Sequence, residues 1–343
     1  MRSFNKSEAS MQPVNWGILS TSSFATERFL PGLRKSPMVR LKAVGSRDLG
    51  RAKSFARTNG IAEAYGSYEE VLEDPEVEMV YVPLPNNLHV EWTLKAAKAG
   101  KHVLCEKPMG MNAKELAKLK PLARKVHIAE AFMVRFHPQW MEARERVRNG
   151  EIGRLTHIHV AFAYNNVDPK NIRNIAKTGG GALYDIGCYA IVAGRWFYEA
   201  EPLQAVGLAD RDPKFKTDRT FSALLDFGKG RPLAFTVSTQ SVVHQRAHIF
   251  GTKGRLEITI PFNQPQNDPT VYLMHDGSSP HGLDARQFTV PTADQYQLQA
   301  EYYCKLIRSG EKPSPKRLED AARNMRIIDA LFRSEKSRRF EKV

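Results

Sequence analysis

Three short segments of this 343-residue chain hold side chains whose types and placement could do chemistry. Glu106-Lys107-Pro108 follows directly on the apolar run His102–Cys105. In open parallel sheets ligands collect beyond the carboxyl ends of the strands, so a lysine there lies in the expected crevice. Its ammonium can hold a substrate hydroxyl and lower the pKa of a neighbouring acid–base group. Pro108 restricts the backbone of Lys107 to extended conformations. Read alone, the same residues are also an ordinary surface Glu-Lys pair. Ser20-Thr21-Ser22-Ser23-Phe24-Ala25 follows the run Val14–Leu19 and occupies the place of a G-x-G-x-x-A phosphate-binding turn. Serine replaces both leading glycines. It is small and its hydroxyl can donate to phosphate, but it disfavours positive φ. A plain polar strand-to-helix turn fits this segment equally well. Ser46-Arg47-Asp48 follows the second run, Val39–Gly45. An acid at this place hydrogen-bonds the ribose of NAD, whereas an arginine accommodates the 2′-phosphate of NADP. Arg47, with Arg51 one helical turn on, favours NADP; Asp48 argues for NAD.

These segments need a frame to position them, and the first third of the chain supplies one. Short apolar runs alternate with helical patterns: strands at Val14–Leu19, Val39–Gly45, Met79–Val82, His102–Cys105 and about 126–129. Helices are expected from the Ser-Thr turn to about Leu30, ended by Pro31-Gly32, then over Leu49–Asn59 with Gly60 as its cap. Ser67 and Glu70 form a capping box that opens a short acidic helix. Further helices are expected over 87–99 and 113–122. This alternation means a parallel sheet covered on both faces, with functional residues just after Leu19, Gly45, Val82 and Cys105. After about residue 131 the pattern changes. A helix over 137–149 and a strand over 155–162 precede a polar segment and the triplet Gly179-Gly180-Gly181. A helix over about 182–198 follows. Then come strand-like runs within 204–290 with no helices between them, which indicates a largely antiparallel sheet, and two closing helices. The fold expected is an α/β Rossmann dinucleotide-binding domain over 12–130, followed by an α+β domain with a largely antiparallel open sheet over 131–343. The C-terminal helix is expected to pack back on the first domain.

Composition excludes several classes. Hydrophobic residues make up 42% and charged residues 26%, ordinary for a globular protein and unlike a disordered chain or a coiled coil. No apolar run approaches a membrane span. Cys105, Cys188 and Cys304 are odd in number and far apart, which speaks against a disulfide framework or a thiolate zinc site. His157 and His159 alternate on one strand, but no third ligand accompanies them, so no metal is expected. Met1 to Pro13 is polar and lacks the apolar core of a secretory signal. It reads as a lead-in to a cytoplasmic protein, with Met11 an alternative start. The net charge of +14 raises nucleic acid as a partner. No helix-turn-helix, RNA-binding or zinc signature supports that, and the charge is patchy. Residues 91–125 hold nine Lys or Arg against three Glu, whereas residues 61–90 hold seven acids and no Lys or Arg. The basic stretch contains Lys107, where a positive field would attract an anionic dinucleotide.

Trp16-Gly17-Ile18-Leu19-Ser20-Thr21, Ser46-Arg47-Asp48, Pro83-Leu84-Pro85-Asn86-Asn87-Leu88-His89, residues 99–108 ending in Glu106-Lys107-Pro108, and residues 179–189 ending in Gly187-Cys188-Tyr189 occur in that order. This array resembles the glucose–fructose oxidoreductase / inositol dehydrogenase / rhizopine catabolism (Gfo/Idh/MocA) oxidoreductase family. It is most similar to the branch of xylose dehydrogenases and dihydrodiol dehydrogenases. The resemblance implies an NADP-dependent dehydrogenase or reductase, with NAD as the alternative cofactor, acting on CH–OH groups of a sugar, polyol or keto-sugar. Lys107 matches the family's catalytic-site lysine. Tyr189 would be the acid–base group. Asp185, four residues earlier and on the same helix face, would bind a sugar hydroxyl or orient the proton relay. The cofactor would touch Ser20, Thr21, Ser22, Phe24 and Ala25, then Ser46, Arg47 and Arg51. Leu84, Asn86, His89, Glu106 and Lys107 complete that set. Apart from the resemblance, Arg173 in the polar segment before the glycine triplet is a candidate to join Lys107, Asp185 and Tyr189 around the substrate, with an ordinary polar loop as the alternative. Arg135, Phe136 and Trp140 lie in a further family-like stretch, the two aromatics reading as core or pocket wall. Free tyrosine titrates near pH 10, and a lysine cation nearby would lower that value. The family also implies a homodimer or homotetramer, without nucleic-acid or membrane partners. The competing function is an NAD(P)-binding regulatory or sensor protein of the same fold without turnover.

Overall fold

The computed structural model describes residues 12–343; the readings made above for residues 1–11, including Met11, lie outside them. The described chain divides into two compact units. One comprises residues up to 110, 114–133 and 294–321; the other comprises 111–113, 134–293 and 322–343.

The first unit is built on six parallel strands. β1 (Val14–Leu19) leads through a π-helical turn, Ala25–Phe29, into α1 (Leu30–Arg34). β2 (Val39–Gly45), α2 (Leu49–Asn59), β3 (Glu63–Tyr65), α3 (Tyr68–Glu73) and β4 (Met79–Val82) follow. Then come α4 (Asn86–Lys98), β5 (His102–Cys105), α5 (Ala113–Leu116) and β6 (Ile128–Glu130). The strand order is β3-β2-β1-β4-β5-β6. The order reverses direction between β1 and β4, and that switch point is where such sheets open a ligand crevice. All four residues of β4 are buried, as a strand covered on both faces requires. Four strands end at Leu19, Gly45, Val82 and Cys105, the positions read from the sequence.

Several local expectations change. The first helical segment runs on to Arg34 rather than ending at Pro31-Gly32. Pro31 sits at the start of α1, directly after the wider π turn, where a missing N–H is tolerated. Gly32 is there for packing: a Cβ on it would lie 2.9 Å from Asp294 Oδ1 and from the Gln297 nitrogen. The helix expected over 113–122 shrinks to α5 plus a 3₁₀ turn, Ala117–Leu119. β3 carried no signal, because three residues show no period.

In the second unit, α6 (Pro138–Arg148) precedes β7 (Leu155–Asn165). A π turn, Leu183–Gly187, opens the helix that continues as α7 (Cys188–Tyr198). β8 (Gln204–Arg211), β9 (Asp218–Asp226), β10 (Pro232–Ser238) and β11 (Gln240–Gly251) follow. β12 (Arg255–Ile258), β13 (Thr270–His275) and β14 (Arg286–Val290) come next. The chain closes with α8 (Gln295–Arg308), α9 (Lys316–Ser337) and the two-residue β15 (Glu341–Lys342). The nine-stranded sheet is ordered β14-β13-β12-β11-β7-β10-β9-β8-β15. All its pairs are antiparallel except β7 with β10. Strand alternation buries Ile158, Val160 and Phe162 on one face and turns His157 and His159 to the other.

α8 is part of the first unit. Asp294 caps it, accepting from the Tyr296 and Gln297 nitrogens, and pairs with Lys35 at 3.0 Å. At its other end Arg308 forks onto Glu78, with both contacts at 2.6 Å.

Close packing in the first unit depends on Gly17. A Cβ there would meet Val71 Cγ1 at 2.7 Å and Val77 Cγ1 at 3.0 Å, both on stiff branched side chains. Gly17→Ala should destabilise the protein by about 1–3 kcal/mol through overpacking. Urea unfolding followed by tryptophan fluorescence measures this, since Trp16 is fully buried next door.

Candidate functional site

Each unit brings together its own cluster. In the first, the turn after β1 is compact: the Ser22 hydroxyl accepts from the Ala25 nitrogen at 3.3 Å and starts the helical segment. Ser20 and Ser22 are not among the residues with positive φ, so serine carries no strain where relatives of this turn have glycine. Ala25 is fully buried, as the third position of such a fingerprint must be for close helix–strand packing. Phe24 sets its ring edge-on to Tyr296 at 6.2 Å.

Past β2, Ser46 is buried and its hydroxyl accepts from the Asp48 nitrogen at 3.3 Å. Asp48 is the N-cap of α2: its carboxylate accepts from the Arg51 nitrogen at 2.9 Å. It is therefore committed to its own helix, which is the local reason an acid sits there. Arg47 is exposed. Arg51 reaches Thr21 Oγ1 at 3.4 Å, and both border a shallow cavity of about 290 Å³ together with Thr26, Ser54, Phe55, Thr58 and Asn59. A small-residue turn, a helix start and two arginines fit the phosphates of a dinucleotide.

Past β5, Glu106 accepts from the Tyr81 hydroxyl at 2.5 Å, and Tyr81 stacks on Phe29 with centroids 3.7 Å apart. Tyr81 was not singled out from sequence, since an apolar run conceals which member carries a hydroxyl to an edge. The Lys107–Pro108 bond is cis. The Met109 nitrogen donates to Glu130 Oε1 at 2.8 Å, which ties the loop after β5 to β6.

His89, expected near the cofactor, lies inside the unit. His89 is wholly buried, with Nδ1 2.8 Å from the Pro108 carbonyl oxygen and Nε2 2.7 Å from that of Leu84. It sits between the loop after β4 and the loop after β5 and, as a neutral imidazole, donates to one of these two carbonyl oxygens. Burial, helped by the Lys107 charge, lowers its pKa to about 4 against the pull of the two carbonyls. Leu84 is buried as well and contributes its carbonyl to that joint. Asn86 opens α4.

In the second unit, Asp185 Oδ2 accepts from the Tyr164 hydroxyl at 2.6 Å and from Arg173 Nε at 3.0 Å. Arg173 thus pairs with Asp185, as a half-buried ion pair. Burial, then the Asp185 charge, pushes Tyr164 well above the usual phenol range, so it stays a donor. Tyr164 was missed, although strand alternation places it on the same face as Val160 and Phe162. Tyr189 is 5% exposed and packs beside Phe162 and Phe262, with centroids at 6.2 and 5.4 Å. The helix that carries Asp185 and Tyr189 starts as a π turn rather than the regular α-helix assumed from their spacing. Trp140 is core: fully buried, it donates to the Pro261 carbonyl and touches Trp196, Phe197 and Phe262. His157 stacks on Phe250 at 4.2 Å.

Two family models match the chain. "Oxidoreductase family, NAD-binding Rossmann fold" covers residues 14–135, and "GFO/IDH/MocA C-terminal domain" covers residues 140–257. The chain belongs to the Gfo/Idh/MocA oxidoreductase family. Its first unit is that family's nicotinamide-dinucleotide-binding Rossmann fold. Among relatives, an uncharacterized oxidoreductase, ORF334, of Rhizobium meliloti is 42% identical over 97% of this chain and 100% of its own. D-xylose 1-dehydrogenase (NADP(+)) 2 of Haloferax volcanii is 34% identical over 93% of this chain and 96% of its own. The crystal structure of KijD10, a 3-ketoreductase from Actinomadura kijaniata in complex with NADP and TDP-benzene, superposes with a TM-score of 0.87. It is 30% identical, covering 94% of this chain and 98% of that one. No helix among the described residues is long and apolar enough to cross a membrane.

The His89 joint gives this Gfo/Idh/MocA protein an acid sensitivity. A histidine whose folded pKa lies below its unfolded value near 6.5 binds no proton in the native state while the unfolded chain does. Stability is therefore intact above about pH 6.5 and falls as the pH drops toward 4. For His89 the expected loss is about 3 kcal/mol, and His102, held at about 4 chiefly by burial, adds to it. Urea midpoints measured from pH 7.5 to 4.5 should show a shallower acid decline in His89→Gln than in the wild type.

Proposed function

We propose that this protein is an NADP-dependent dehydrogenase or reductase of CH–OH groups, with a sugar, polyol or keto-sugar as substrate. The observation that carries the reading is the Glu106-Lys107-Pro108 segment at the carboxyl end of β5, in a chain that also carries Asp185 and Tyr189 on one helix. The relatives support the substrate class: one is a xylose dehydrogenase and another a 3-ketoreductase. NADP is supported by the free-standing position of Arg47 beyond β2, by Arg51 on Thr21, and by the use of Asp48 as a helix cap.

The bound nicotinamide supplies the hydride acceptor for oxidation and the donor for reduction. The chain's own groups manage the proton. Tyr189 takes the hydroxyl proton of the substrate during oxidation and returns it to the carbonyl oxygen during reduction. The Lys107 ammonium favours the phenolate form of Tyr189 and binds a substrate hydroxyl. Asp185, held in place by Arg173 and Tyr164, accepts a second hydroxyl and so orients the sugar ring. The aromatic rings of Phe162 and Phe262 beside Tyr189 keep its surroundings apolar.

A panel of pentoses, hexoses, polyols and keto-sugars, read by absorbance with NADP(H) and NAD(H), tests this. At least one sugar should turn over, with NADP(H) preferred. Lys107→Ala and Tyr189→Phe should lower kcat about 10²–10⁴-fold, the usual scale for a lost acid–base group, while still binding NADPH. Arg47→Ala should weaken NADPH binding and leave NADH unchanged. NADPH binding without turnover across the panel would instead favour a cofactor-sensing protein.

The same reading includes a homodimer or homotetramer. The face of the nine-stranded sheet that carries His159 also exposes Leu208 and Leu224, side chains in register rows with Ser222 and Ala234. A second copy would cover that apolar surface. Light scattering should give a dimer or larger species for the wild type, shifted to smaller mass by Leu208→Glu.

A further inference from the structure

The triplet Gly179-Gly180-Gly181 has a structural cause that points to a residue outside the set considered so far. Gly179 and Gly181 both take left-handed backbone, at φ 84° and 121°. A Cβ on Gly180 would lie 2.4 Å from the Arg173 carbonyl oxygen, and one on Gly181 would lie 2.1 Å from Asp218 Oδ1. Gly181 is thus moulded around the Asp218 carboxylate and Gly180 around the Arg173 backbone. Asp218 is 1% exposed and is the first residue of β9, so the sheet ladder fixes its backbone. Its Oδ2 accepts from the Leu183 nitrogen at 2.7 Å. The first N–H groups of a helix have no partners within it, and here a strand-borne carboxylate takes one of them. The Gly181 nitrogen, one step before that helix, donates to the Arg173 carbonyl at 2.9 Å. The side chain of Arg173 holds Asp185.

We propose that Asp218 is a positioning residue for the reaction: its buried carboxylate pins the first turn of the helix bearing Asp185 and Tyr189 to the sheet, and so sets where those two side chains stand. The inference rests on the reading of Asp185 and Tyr189 given above. The groups around Asp218 make the device sensitive to pH. Burial raises its pKa to about 7. The Leu183 N–H and Arg211, its cross-strand partner on β8, favour the charged form, and Glu335 on α9 opposes it. Arg211 also pairs with Glu335 at 2.6 Å, which limits how much of its charge Asp218 feels. An ionised carboxylate accepts from an amide more strongly than a neutral one. As the pH falls through about 7 the hold on Leu183 weakens, and it is restored as the pH rises.

Hydrogen exchange on the full chain tests the hold without any substrate. Peptides covering residues 182–189 are compared in wild type, Asp218→Asn and Asp218→Ala at pH 6 and 8, after correction for intrinsic exchange. Asp218→Ala should exchange about tenfold faster there, while peptides from β1 to β5 stay unchanged. Asp218→Asn, whose amide oxygen still accepts, should stay near wild type. It should also lose the drop in protection that the wild type shows at pH 6. Exchange in Asp218→Ala within twofold of wild type overturns the proposal. If that variant does not fold, the same pH-dependent protection in Asp218→Asn as in wild type overturns it. With a sugar from the panel, Asp218→Ala should lose about tenfold in kcat with NADPH affinity intact, and Asp218→Asn should lack a wild-type inflection near pH 7. A normal kcat in Asp218→Ala despite faster exchange overturns the positioning role. A panel without turnover removes the reaction, while the exchange result still decides the hold.

Discussion

A parallel strand buried on both faces can offer chemistry only at its ends. That constraint governs the first unit. β4 is buried along its whole length, and β1, β2 and β5 are buried toward their carboxyl ends, because helices cover both sides of the sheet there. Polar and charged side chains follow where the strands stop: Ser20, Ser46, Asn86, and Glu106 with Lys107. The loops there are held by buried hydrogen bonds rather than by length. Neutral His89 lies between two of them and donates to one carbonyl oxygen, Glu130 receives the Met109 amide, and Tyr81 carries a hydroxyl to Glu106. A lysine in this position stands on a stiff mount.

The second unit meets the same need with a different device. An antiparallel sheet has a face to spare, and a helix packed on it presents side chains from one turn. The turn is fixed at its start by Asp218 and at Asp185 by Tyr164 and Arg173. Because both ends of that short segment are anchored to strands, Asp185 gains a defined orientation. The π turn between them widens the helix at that point.

The charge pattern also gains a physical account. The acids at 61–90 are not a uniform field. Glu78 takes Arg308, Glu70 closes a capping box with Ser67, and Glu69 takes Lys95. Asp74 receives the Tyr65 hydroxyl, and its backbone carbonyl with that of Val77 takes the buried Lys101. Part of the basic excess is thereby spent on the fold. Arg47 and Arg51, past β2, are exposed and available to an anion.

Periodicity and turn chemistry alone determined much of this protein. The strands ending at Leu19, Gly45, Val82 and Cys105, the caps at Gly60 and Ser67, and the change to an antiparallel sheet are local or short-range properties, and local sequence encodes them. The Glu-Lys-Pro and Gly-Gly-Gly to Tyr segments were legible for the same reason: each is contiguous. Tertiary structure decided what depends on partners far along the chain. Pro31-Gly32 stays helical because α8 packs on Gly32. His89 becomes a buried joint because two loops converge on it. Asp48 caps its helix because α2 starts beside it. Tyr164 and Asp218 matter only because the sheet carries them to residues 21 and 35 positions away. A side chain's identity is written in the sequence; the partner that fixes its protonation and direction is set by packing.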